Sequence, residues 1–127
     1  MDKKIVMLVE DSATIRQLVK EVLETACGYE VLEFPNGALA IIKLGEKKPH
    51  IDAAVLDIVM MGHGGSVRDY LRNIPQYKEI PIIYHTSLSK VQFDNRILES
   101  AHYVQKSAGS IRQIAEILKN TLSTDSS

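Results

Sequence analysis

The sequence predicts an α/β fold, doubly wound, with five parallel strands in one sheet and helices on both of its faces. Two observations lead there. Short apolar runs alternate with amphipathic stretches along the whole chain. The runs, of which Ile5-Val6-Met7-Leu8-Val9 is the clearest, are apolar at every position rather than at every second one. That is the signature of strands covered on both faces.

The elements follow in order. Lys4 to Val9 is the first strand, stopped by Glu10. Ser12 is placed to cap a helix from Ala13 to about Cys27, with Ile15, Leu18, Val19, Val22, Leu23 and Ala26 at helical spacing on one face. Gly28 ends it, and a short strand spans about Glu30 to Phe34. Asn36-Gly37 turns into a second helix carrying Leu39, Ile41, Ile42 and Leu44, which Pro49-His50 closes. Ile51 to Leu56 is a third strand that delivers Asp57, and a loop with Gly62, Gly64 and Gly65 precedes a third helix over Ser66–Ile74. Pro81 opens the strand Ile82–His85, ended by Thr86. A more polar helix is expected over Ser89–Glu99, then a strand with Tyr103 and Val104 ending at Lys106, then a last helix over Ser110–Leu122. Right-handed crossovers turn this (βα)5 repeat into a three-layer sandwich. The doubly wound flavodoxin-like arrangement, strand order 2-1-3-4-5, is the natural choice at this size, although periodicity alone does not give the order. Residues 1–127 are expected to form a single domain, with a core of about 4–122 and a frayed tail at 123–127.

At 127 residues, with 45% hydrophobic and 24% charged residues, the chain can hold one hydrophobic core without disulfides. Its one cysteine, Cys27, excludes an intrachain disulfide and falls on the apolar stripe of the first helix, where packing explains it. The first apolar run is too short to span a membrane, so a cytoplasmic soluble protein without membrane insertion is expected. A net charge of −1 offers no basic field for nucleic acid. The four histidines, His50, His63, His85 and His102, show no zinc-site spacing. His63 lies in the glycine-rich loop, and strand alternation turns His85 away from Thr86.

Sites in open parallel sheets form at the carboxyl ends of the strands. Those ends carry Glu10-Asp11, Asp57, Thr86-Ser87 and Lys106-Ser107. Carboxylates gathered together repel unless a cation compensates them, and Mg²⁺ suits an all-oxygen donor set. Asp11 and Asp57 are the best direct ligands, with Glu10 acting directly or through water. Asp57 is a candidate nucleophile of the aspartyl-phosphate type. Lys106 is a candidate to neutralise a phosphoryl oxygen and Thr86 to hydrogen-bond another. Each feature alone is ordinary surface, since a lone lysine or threonine at a strand end commonly does nothing. Their joint placement on the strand ends of one fold carries the reading.

This set resembles the receiver domain of response regulators, chemotaxis type, over about Lys4 to Leu122. Glu10-Asp11, Asp57, Thr86 and Lys106 carry the resemblance, supported by Met60 and Gly65 after the acceptor, by Gly28-Tyr29 and Gly37, and by Tyr103 three residues before the lysine. The resemblance implies a phosphoacceptor switch of a two-component system. A sensor histidine kinase or phosphotransfer protein would phosphorylate Asp57, with Mg²⁺ (or Mn²⁺ in its place) held by Asp11, Asp57, Glu10 and the backbone carbonyl of Val59. The only catalysis implied is self-phosphorylation and autodephosphorylation. Thr86 and Tyr103 would act as the switch pair, and the surface of the Ser89–Glu99 helix, fifth strand and last helix would change its affinity for a downstream protein, as a monomer or a phosphorylation-dependent dimer.

The sequence departs from the family at several points. Met61 stands where proline usually follows the loop methionine, and Ser107 stands where proline usually follows the lysine, removing an easy cis bond. The Thr86–Lys106 spacing is about two residues short, and Ser100-Ala101-His102 replaces the usual Gly-Ala loop. Apolar Val59 beside the phosphoryl position cannot hold an attacking water, so a long-lived phosphoryl group is expected. The alternative reading is a phosphorylation-independent, receiver-like protein-binding scaffold. A phosphatase-like hydrolase would need a general acid two residues beyond Asp57, where this chain has Val59. A flavodoxin would need an uncharged phosphate loop, not Glu10-Asp11-Ser12-Ala13-Thr14.

Overall fold

The computed structural model describes residues 3–57, 63–89 and 101–122. Five strands form one parallel sheet: β1 (Ile5–Val9), β2 (Glu30–Phe34), β3 (Ala53–Leu56), β4 (Ile82–Thr86) and β5 (His102–Gln105), in the order β2-β1-β3-β4-β5. Among the described residues four helices cover it: α1 (Ala13–Thr25), α2 (Gly37–Lys47), α3 (His63–Arg72) and α4 (Ser110–Leu122). Apart from Ser89, the expected helix over Ser89–Glu99 lies outside the described residues, as do Val59, Met60, Met61 and residues 123–127. No helix among the described residues is long and apolar enough to cross a membrane.

Strand alternation sorts the core into two halves. Val6, Leu8, Ala53, Val55, Ile83 and Val104 face α1 and α4, where Val19, Leu23, Ile114 and Leu118 meet them. Met7, Val9, Ala54, Leu56, Ile82 and Tyr84 face the other way, against Ala40 and Leu44 of α2 and Val67 and Leu71 of α3. β1 and β3 are buried along their length apart from Ile5, which explains why their runs are unbroken. Cys27 packs at the margin of the α1 side.

The helix termini follow local chemistry. Ser12 and Asn36 cap α1 and α2, accepting from Ile15 N–H at 3.2 Å and Leu39 N–H at 2.9 Å. α1 ends at Thr25, two residues before the predicted Cys27. Gly28, at φ +75°, lets the chain reverse so that Tyr29 N–H reaches back to the Leu23 carbonyl at 3.0 Å. α3 starts at His63 rather than Ser66, so Gly64 and Gly65 are helical and not loop. Burial of Val67 and Leu71 against the sheet outweighs the poor helix propensity of those glycines, about 1 kcal/mol each. It ends at Arg72, before Ile74, because Pro75 disfavours a helical residue ahead of it and removes an N–H donor.

Three side-chain placements also differ from expectation. Leu18 on α1 is 49% exposed, and Leu39 and Ile42 on α2 are 47% and 54% exposed. The buried residues of α2 are Gly37, Ala40 and Leu44, and the last two join the core shared by the sheet and α3.

Candidate functional site

Two strand ends deliver the three acidic residues. β1 continues straight into Glu10, whose N–H bonds to the Phe34 carbonyl of β2 at 3.1 Å. The Asp57 N–H bonds to the Val9 carbonyl at 3.0 Å, which sets the end of β3 beside the end of β1. Glu10 and Asp57 are buried, 1% and 5% exposed, while Asp11 is exposed. One oxygen from each of the three carboxyls lies within 4.8 Å of the others. A cleft of about 290 Å³ opens beside them, walled by Val9, Asp11 and the Pro35–Ala38 turn.

Lys106 enters from the end of β5. Its Nζ donates to Asp57 Oδ2 at 2.8 Å and lies 3.0 and 3.2 Å from the two oxygens of Glu10. The Glu10 carboxyl also accepts from Ser12 N–H at 3.0 Å. Burial pushes Glu10 up to about 7, against the opposing pull of the Ser12 N–H and of Lys106. For Lys106, burial works toward a lower pKa, but the hydrogen bonds to Asp57 and Glu10 outweigh it and hold the ammonium above its ordinary value. One ammonium against three carboxyls leaves the cluster with an excess of negative charge and closely spaced oxygens. That donor set fits a hard divalent cation, whose binding favours the ionised form of each carboxyl.

Thr86, fully buried, ends β4 next to this cluster. Its carbonyl accepts the Lys106 N–H at 2.7 Å, and its hydroxyl accepts the Leu88 N–H at 3.2 Å. Tyr103, half-buried on β5, donates its hydroxyl to the carbonyl of the same Leu88. The two residues singled out as a switch pair are thus tied to one backbone residue. Val59 lies outside the described residues.

Sequence reading missed Arg16. Its Nη1 donates to the Glu10 carbonyl at 2.8 Å and its Nε to Glu33 Oε1 on β2 at 3.1 Å, bracing the corner that carries Glu10 and Asp11. In sequence it looks like any charged residue on the open side of a helix. His85 was placed only by alternation. It does point away from Thr86, and it is buried, with Nε2 2.9 Å from Ser110 Oγ.

A five-stranded parallel sheet in this order, with three carboxyls and one lysine gathered at its strand ends, defines a two-component receiver. The chain belongs to the response regulator receiver domain family, whose model matches residues 6–119. Among solved structures it is similar to the Vibrio cholerae chemotaxis protein CheY4, at 26% identity and a TM-score of 0.78, covering 94% of this chain and 98% of that one. It is similar too to the response regulator TrrA of Thermotoga maritima, solved in complex with Mg²⁺–BeF, at 32% identity and a TM-score of 0.77, covering 92% and 97%. A curated relative, protein-glutamate methylesterase/protein-glutamine glutaminase 2 of Rhodospirillum rubrum, is 34% identical over 92 residues, 71% of this chain and 24% of that protein. The chain spans about a quarter to a third of the length of the curated relatives it matches.

Proposed function

We propose that the chain is a phosphoacceptor switch in which Asp57 receives a phosphoryl group from the phosphohistidine of a sensor kinase or phosphotransfer protein. The observation that carries this reading is Lys106 lodged between Asp57 and Glu10, beside Asp11, at the strand ends of a receiver fold. A carboxylate oxygen of Asp57 attacks phosphorus. The P–N bond of the donor breaks, its electron pair returns to the imidazole nitrogen, and an acyl phosphate forms on Asp57. Reversal to the carboxylate is hydrolysis: a water oxygen attacks phosphorus, the Asp57 O–P bond breaks and inorganic phosphate leaves.

Asp11 and Asp57, with Glu10 directly or through water and the Val59 carbonyl, are the groups that would hold Mg²⁺, with Mn²⁺ as a substitute. When bound, the cation supplies positive charge that screens the incoming phosphoryl group from the carboxylates. The complex of TrrA with Mg²⁺–BeF supports this assignment by similarity. Lys106, already paired with Asp57, passes its ammonium to a phosphoryl oxygen as the carboxylate becomes an acyl phosphate. The Thr86 hydroxyl accepts from Leu88, so its own proton is the one to offer to another phosphoryl oxygen. Drawing Thr86 toward phosphate loosens Leu88, which Tyr103 also holds. The predicted helix over Ser89–Glu99, β5 and α4 then present a changed surface to a downstream protein. Residues of about 4–122 act as one receiver unit, in the cytoplasm and without nucleic acid.

The test is intact mass after incubation with acetyl phosphate, in Mg²⁺ and in EDTA, with Asp57→Asn alongside. A Mg²⁺-dependent gain of one phosphoryl group, absent in the variant, is expected. A folded protein that gains nothing while a known receiver is labelled in parallel returns the chain to the scaffold reading.

A further inference from the structure

Outside the carboxylate cluster, Thr86 and the buried tyrosines, the buried polar side chains among the described residues are His85 and Ser110. They meet on the α1–α4 side of the sheet, the side that Ile83, two residues earlier, also faces. The Ser110 hydroxyl donates to the Ser107 carbonyl at 2.9 Å. A serine hydroxyl has one proton, so toward His85 it can only accept, and His85 must donate from Nε2 at 2.9 Å. The imidazole is therefore the Nε2–H tautomer, and its buried Nδ1 has no hydrogen-bond partner among the described residues. Burial, with a smaller push from the Lys106 charge, takes His85 down to about 4, so the ring is neutral under ordinary conditions.

The carbonyl gripped in this way belongs to the residue immediately after Lys106. Ser107 O also accepts the Ser110 N–H at 3.2 Å, and the Lys106 N–H is bound to Thr86 O at 2.7 Å. Both flanks of Lys106 are thereby tied to the last two residues of β4: one through backbone to Thr86, the other through Ser110 to His85. Serine at 107 has no ring to lock its φ, so the corner depends on such bonds for its shape.

We propose that His85 and Ser110 are positioning residues for Lys106: their hydrogen-bond relay to the Ser107 carbonyl fixes the corner from which the lysine reaches between Asp57 and Glu10. The functional half of this inference rests on the phosphoacceptor reading; the structural half does not. Breaking the relay at either end should loosen the corner alike, and breaking both ends should add little, because one path is being cut twice.

Ser110→Ala and His85→Phe, singly and together, are compared with Ser110→Thr, which keeps the hydroxyl. Two measurements are made on each folded protein: amide hydrogen exchange, and the affinity for beryllofluoride in saturating Mg²⁺ beside the affinity for Mg²⁺ alone. The expected result is Lys106 amide exchange faster by about tenfold in both disrupted variants, with the amides of β1 and β3 unchanged. Beryllofluoride affinity falls by roughly fivefold, Mg²⁺ affinity holds, the double variant matches the singles, and Ser110→Thr stays near the parent. Unchanged Lys106 exchange in both variants overturns the relay. Faster exchange with undiminished beryllofluoride affinity overturns the positioning role, since a merely structural pair behaves that way. A parent protein that binds no beryllofluoride defeats the phosphoacceptor reading instead, and the exchange data still decide the relay.

Discussion

Replacing Lys106 with methionine removes the cation from a cluster built around it and keeps most of the side chain's volume. Lys106 Nζ stands 2.8 Å from Asp57 and 3.0 Å from Glu10, both buried. At an effective dielectric constant of about 20, a pair at that separation carries about 6 kcal/mol of gross attraction, most of it cancelled by the desolvation of its members. Removing one partner of a fully buried pair costs roughly 3–5 kcal/mol. Here the lysine side chain is 18% exposed and Glu10, near 7, takes up a proton readily, so about 2 kcal/mol is expected. The variant should also bind Mg²⁺ about fivefold more tightly, roughly 1 kcal/mol, because the competing ammonium has gone. The stability deficit should then be largest in EDTA and shrink by about 1 kcal/mol in saturating Mg²⁺. The chain has no tryptophan, so urea unfolding followed by circular dichroism and calorimetric Mg²⁺ titration are the suitable assays. A variant as stable as the parent in EDTA, or a deficit that grows with Mg²⁺, refutes the account of Lys106 as the internal counter-ion.

Three further outcomes are expected. Because His85 in the folded chain sits near 4, below its ordinary 6.5, its contribution to stability is complete above about pH 6.5 and is lost as pH falls toward 4, a span worth up to about 3 kcal/mol. The stability difference between the parent and His85→Leu should therefore narrow or reverse from pH 8 to pH 5 in urea unfolding, and parallel profiles would count against it. Arg16→Ala should cost about 1.5 kcal/mol through the lost charge-assisted bond to the Glu10 carbonyl, whereas Glu33→Ala, at a half-exposed ion pair, should cost under about 0.5 kcal/mol. Equal losses in denaturant would show that the carbonyl bond is not what matters. On α2, Leu44→Ala should cost about 2–5 kcal/mol while Ile42→Ser stays within about 0.5 kcal/mol, and the reverse ranking in thermal unfolding would mean the helix face is misassigned.

The strands and the residues that end them were legible because burial on both faces writes itself into consecutive positions. β1 and β3 read directly into Glu10 and Asp57, and β4 and β5 into Thr86 and Lys106. The helices were harder. In α2 the apolar residues at 39, 41, 42 and 44 surround more of the helix than one stripe, so only its packing against the sheet and α3 reveals that Ala40 and Leu44 are the inner ones. In α3 two glycines look like loop, and tertiary burial of Val67 and Leu71 overrides them. The supporting bonds of the site were not legible at all. Arg16 to Glu10, and His85 to Ser110 across 25 residues, depend on register and on which side of the sheet a helix lies, and neither leaves a periodic mark in the sequence.

His85 and Thr86 are neighbours in sequence and opposites in aim. A strand cannot rotate at its end without moving both, so whatever draws Thr86 toward the acceptor also pulls on the contact between His85 and the start of α4. On the proposed switch, the last residues of β4 would work like a rocker: one displacement, started at a single carboxylate, would reach both layers of the sandwich at once.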